Sequence, residues 1–145
     1  FEHRGDDAAF RIIDPAGHLG GALEMLQVLK HGEVLCIMGD RAMGGERSTV
    51  EVEFLGGRVR IPVTPYQLAS ATGAPVVVIF PYKSGPGNYS LQVEKVIRVP
   101  EDLGRDPEAY RPHAEAFIRA LEGFVEERPY QFFNFFDMWN QEPMR

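Results

Sequence analysis

The chain has 145 residues, with 15 basic and 21 acidic side chains and a formal charge of −6. That length can bury a hydrophobic core, and the ordinary proportions of apolar and charged residues exclude a disordered chain. The acidic balance argues against a nucleic-acid binder, which needs a basic face. No apolar stretch reaches the roughly 20 residues of a membrane span, and no signal peptide is visible. The single cysteine, Cys36, lies within Val34-Leu35-Cys36-Ile37-Met38. A lone thiol forms no internal disulfide, which suits a reducing compartment.

Asp14-Pro15 reads as an N-cap followed by proline at the first helical position. Leu19, Ala22, Leu23, Leu26 and Leu29 then recur at helical spacing, with Gly32 placed to close the helix. Residues 34–38 are continuously apolar and short, the pattern of a strand buried on both faces. The chain turns at Gly39-Asp40-Arg41. Val50, Val52 and Phe54 alternate with polar residues, as do Val59 and Ile61, and Gly56-Gly57 between them predicts a β-hairpin. Thr64-Pro65 caps a short helix ending near Gly73. Val76 to Phe80 reads as a second buried strand. After the turn Gly85-Pro86-Gly87-Asn88, the residues Tyr89, Leu91 and Val93 alternate again.

The last third reads as helical, although Pro112 sits badly inside a helix begun at Asp106-Pro107. Tyr110, Ala114, Phe117, Leu121 and Phe124 mark one apolar face. Phe132, Phe135, Phe136 and Trp139 follow at i, i+3, i+4 and i+7, again one face of a helix. That face suits either a lipid surface or the core, and the core reading is favoured for most of these residues. The expected class is α/β, a mixed sheet flanked by helices.

Few residues stand out chemically. Gly39-Asp40-Arg41 lies at an expected strand end, where open α/β sheets place ligands. Arg41 offers a fork of donors suited to phosphate or carboxylate, while a tight turn with a local Asp40–Arg41 ion pair explains the same residues. Met43-Gly44-Gly45-Glu46-Arg47-Ser48 is either a flap carrying Arg47 over a substrate or a solvated loop. His3, His18, His31 and His113 have no metal-like or triad-like companions, and no phosphate-binding loop, zinc motif or nucleophile elbow is present.

Several segments together resemble the bacterial lipid A biosynthesis acyltransferases, which are lysophospholipid-like acyltransferases. They are Leu29 to Arg41, Val52 to Pro62, Leu68-Ala69 with Thr72 to Val77, Gly87-Asn88-Tyr89-Ser90-Leu91, and Pro129 to Trp139. They fall in the family's order and cover residues from about 19 to 140.

The resemblance implies a partial glycerolipid-acyltransferase-like domain. It implies transfer of a fatty acyl chain from a thioester of acyl carrier protein or coenzyme A to a hydroxyl of a glycolipid or lysolipid. The work would be done at the cytoplasmic face of the inner membrane, with no metal or other cofactor. It carries anion binding to Arg41 and orientation of Arg41 or a sugar hydroxyl to Asp40, with Gly39 letting the backbone approach a ligand. Arg47 becomes a candidate for the donor's phosphate, and Pro62 and Pro75 for the pocket wall.

The family's base is the histidine of a His-x4-Asp/Glu motif. Here the fifth position after each histidine holds Ala8, Leu23, Cys36 or Ile118, so the motif is absent. The chain begins at Phe1 rather than Met, and residues 1–145 are therefore expected to be the C-terminal portion of one acyltransferase domain, with the motif upstream. The alternatives are a non-catalytic lipid- or acyl-carrier-binding module of the same fold and an interaction domain using the aromatic tail. A truncated sheet would expose an edge, so a homo-oligomer through that edge is expected.

Overall fold

The structure, a computed structural model, describes residues 10–14, 21–41 and 48–139. The chain divides into two compact units, Phe1–Leu35 and Cys36–Arg145.

The first unit contains helix α1, Ala22–Lys30. The helix is entered through Gly21, which has a left-handed φ of 69°. A Cβ at Gly21 would stand 2.9 Å from Ile13 Cγ2, so glycine meets both a conformational and a steric need there. The exit has the hydrogen bonds of a Schellman cap. Gly32 N–H bonds the Leu29 carbonyl and Glu33 N–H the Val28 carbonyl, with Gly32 in the left-handed region. Gly32 thus closes the helix as its sequence predicts. The expected start at Pro15, with Leu19, lies outside the described residues.

The second unit holds the main core. Residues 34–38, which span the boundary between the units, form no strand. Val34 is 86% exposed, and Cys36, Ile37 and Met38 are exposed too. The expectation of a buried strand here is corrected: among the described residues no strand pairs with this run, and without a partner its backbone has no ladder to join.

The first hairpin pairs β1, Thr49–Phe54, with β2, Gly57–Pro62, in antiparallel register. Its two-residue turn is Leu55-Gly56, one residue earlier than Gly56-Gly57. Both turn residues have positive φ, 50° and 77°, as a tight hairpin whose twist matches its strands requires. Val50, Val52, Phe54, Val59 and Ile61 point inward, and Glu51, Glu53, Arg58 and Arg60 outward.

Helix α2, Thr64–Thr72, carries Pro65 in its first turn and ends on Gly73, which is left-handed at φ 72°. Its N-cap is Val63 rather than Thr64. Buried Ser70 donates to the Pro100 carbonyl and accepts from Leu103 N–H, tying α2 to the turn that follows the second hairpin.

That hairpin pairs β3, Val76–Gly85, with β4, Asn88–Ile97, again antiparallel, with Glu94 as an extra residue that bulges β4. The α/β class holds, but the strands form two separate antiparallel two-stranded sheets rather than one mixed sheet. The reading of Val76–Phe80 as buried on both faces is also corrected. Val78, Phe80 and Tyr82 turn toward the core, whereas Val77 and Ile79 stay exposed, with Leu91 and Val93 beside them on β4.

A short 3-10 turn, Pro107–Tyr110, is capped by the Asp106 carboxylate and leads into α3, Arg111–Glu127. Pro112 falls in the first turn of α3, where a missing N–H costs nothing, so the proline starts the helix rather than breaking it. Ala114, Phe117, Ile118, Leu121, Phe124 and Val125 are its buried face. The helix packs against both hairpins.

Candidate functional site

The segment 39–41 is a bend laid on α3. A Cβ at Gly39 would stand 3.4 Å from the Phe117 ring, so the backbone sits directly on that ring. The Arg41 guanidinium is held from two sides. Its Nε lies 3.8 Å from Asp40 Oδ1, and its central carbon stands 5.0 Å from the centre of the Phe136 ring. The local ion pair foreseen for this turn is therefore present, and a ring from the far end of the chain adds a second contact. The Arg41 side chain is still 43% exposed. Among the described residues, no partner engages its terminal nitrogens.

Phe136 owes its place to a tail that is not the helix its spacing predicts. After the short turn Pro129–Gln131 the chain runs without regular structure to Trp139. The Asn134 side chain accepts from Phe136 N–H at 3.1 Å, and that of Asp137 from Trp139 N–H at 3.0 Å. Such local side-chain bonds offer the backbone an alternative to helix. Phe132 packs edge-on against Phe54, Trp139 stacks on it, and Met138 is fully buried. Phe133 and Phe135 are exposed. The favoured core reading thus fits Phe132 and Phe136, which are partly buried against the core, but not Phe135.

The remaining candidates are dispersed. Arg47 lies outside the described residues, as do His3 and His18. Pro62 ends β2 opposite Thr49 and is buried, and Pro75 is exposed between α2 and β3. His31 is exposed, 3.9 Å from Glu33. Burial lowers the pKa of His113, which favours the neutral ring. Burial likewise raises that of Tyr66, keeping the phenol protonated. No group of three metal-ligating side chains occurs among the described residues.

An open polar cleft lies between the first hairpin and α3, lined by Glu51, Glu53, Arg58, Arg111 and Glu115. Both of its arginines are already engaged, Arg58 with the Glu51 carboxylate at 3.0 Å. Arg111 grips both Glu108 oxygens, at 2.7 and 2.9 Å, and donates to the Glu51 carbonyl. The bond to Glu108 holds its pKa above the ordinary value. Arg111 fastens the start of α3 to β1.

Known families supply the remaining observation. A family model for bacterial lipid A biosynthesis acyltransferases matches residues 6–141, nearly the whole sequence. The chain belongs to this family. No curated protein and no solved structure matches it. The acyltransferases of this family act in lipid A biosynthesis, and the match takes in both Arg41 and the tail that reaches it. No helix among the described residues of this acyltransferase-family chain is long and apolar enough to cross a membrane.

Sequence reasoning singled out Gly39 and Arg41 but missed the rings they meet, Phe117 under Gly39 and Phe136 under Arg41. Their spacing signalled helical core faces, and nothing in the sequence ties either one to residues 39–41.

Proposed function

We propose that these residues form the acceptor-side part of an enzyme that moves a fatty acyl chain from a thioester to a hydroxyl. The donor is acyl carrier protein or coenzyme A, the acceptor a glycolipid or lysolipid, and the place the cytoplasmic face of the inner membrane. The observation that carries this reading is Arg41, exposed and steadied by Asp40 and Phe136 in a chain of this family. A guanidinium with its terminal nitrogens available offers two parallel donors to a phosphate or carboxylate.

In the proposed reaction the acceptor hydroxyl gives its proton to a histidine of a His-x4-Asp/Glu motif outside these 145 residues. Its oxygen attacks the thioester carbonyl, the carbon–sulfur bond breaks, and the departing sulfur takes the proton. Arg41 captures the acceptor by its anionic group and keeps it on the enzyme through the reaction. Gly39 brings the backbone close to that group, and Arg47 meets the donor's phosphate.

The test is acyl transfer by the full-length parent protein, with acyl-acyl carrier protein as donor and a phosphorylated lipid A precursor as acceptor. Arg41→Ala is expected to lower transfer at least tenfold, the scale of one lost charge-assisted pair, with an unchanged melting curve. Near wild-type turnover in that variant removes Arg41 from the site. Binding of the acceptor without turnover by the intact parent would replace the enzyme with a lipid-binding module.

A further inference from the structure

Arg41 reaches its position only with help. A guanidinium on a flexible three-carbon stem loses much rotamer freedom when it is fixed, and Asp40, at 3.8 Å, is a loose partner with no close hydrogen bond. The Phe136 ring covers the guanidinium at 5.0 Å. Arginine stacks well on an aromatic ring because its delocalised plane is weakly hydrated. With the ring on one side and Asp40 at Nε, the edge left over is the one carrying the two terminal nitrogens, the edge that matches a phosphate or carboxylate.

The ring is itself held in place. Its backbone N–H is tied to Asn134. Two residues on, Met138 is fully buried. Trp139 stacks on Phe54 at 5.8 Å and donates from Nε1 to the Phe54 carbonyl. On the other side of Phe136, Phe132 meets the edge of the same Phe54 ring. The tail is therefore pinned to the first hairpin on both sides of Phe136.

We infer that Phe136 is a positioning residue for acceptor binding, a platform that orients Arg41 toward the acceptor's anionic group. The inference rests on the proposed role of Arg41. Phe136 touches no reacting atom and acts through the guanidinium alone. Its removal therefore weakens capture of the acceptor and leaves the chemical step and donor binding unaltered.

The experiment uses the full-length enzyme with the same acyl-acyl carrier protein and phosphorylated lipid A precursor. Phe136→Leu keeps an apolar side chain but removes the π face, and is expected to raise the KM for the acceptor about fivefold. The kcat and the donor KM stay within a factor of about two, since binding energy shared by ground and transition states enters KM alone. Phe136→Trp is expected to restore the acceptor KM. In an Arg41→Ala background Phe136→Leu should add nothing, because the platform then has nothing to hold. An unchanged acceptor KM in Phe136→Leu overturns the inference, as does an equal further loss in the Arg41→Ala background. If Arg41→Ala itself has no effect, the proposed role of Arg41 fails. If Arg41→Ala impairs transfer while Phe136→Leu does not, only the platform fails.

Discussion

Gly57 lies outside the left-handed region, so its missing side chain serves space rather than backbone conformation. A Cβ there would lie 2.2 Å from Trp139 Cδ1 and 2.6 Å from Nε1, well inside contact distance. Gly57→Ala must push the indole off Phe54 or shift the hairpin. The expected cost is about 1–3 kcal/mol, the usual range for overpacking, read as a lower midpoint in thermal or denaturant unfolding. The sequence pointed to glycines at this hairpin, but as turn formers. The glycine of the turn is Gly56, while Gly57 makes room for a ring from the opposite end of the chain. Local sequence holds no sign of that demand.

Elements show the same division between local and distant causes. Helix α3, the first hairpin, α2 with Gly73 and the cap at Gly32 were legible because their signals are local: periodicity, turn glycines and helix stops. The tail and residues 34–38 were misread because periodicity does not reveal which neighbour is present. Phe132, Phe135, Phe136 and Trp139 have helical spacing, but Asn134 and Asp137 spend their side chains on nearby N–H groups. The tail also supplies a contact that no periodicity suggests. The Gln131 amide accepts from Lys83 N–H at 2.7 Å and donates to the Lys83 carbonyl at 3.3 Å, so it pairs with the β3 backbone as a neighbouring strand would. Nearby, Arg128 lies over the rings of Tyr82 and Phe124 and binds the same junction. Gln131→Leu removes both bonds to Lys83. It is expected to cost about 1–2 kcal/mol and to speed hydrogen exchange at the Lys83 amide while leaving amides in the middle of α3 protected.

For the second unit as a whole, the main feature is a sheet covered on one side. The inner residues of β3 and β4 meet the core, but Val77, Ile79, Leu91 and Val93 face outward, with Leu91 76% exposed. Cross-strand pairing of Ile79 with Val93 and Pro81 with Leu91 makes these side chains a continuous apolar strip. Such strips favour association. The 145-residue chain is therefore expected to self-associate at high concentration, and the pair Leu91→Lys with Val93→Lys to lower its weight-average mass in sedimentation. A monomer at all concentrations would show that the strip is tolerated in water. The strip also accounts for the misreading of Val76–Phe80, since strands apolar on both faces look the same in sequence whether one face is covered or two.

Trp139 is the only tryptophan of the chain. Its indole rests on Phe54 with the planes 13° apart and bonds to a carbonyl 85 residues earlier in sequence. Excited beyond the tyrosine absorption band, its fluorescence therefore comes from a single place, the closure of tail on hairpin. Emission wavelength and quenching by a soluble agent report directly whether the last segment is docked. Because Phe136 lies between the Phe132 and Trp139 anchors, the same light reports whether the support beneath Arg41 is assembled, with no added label.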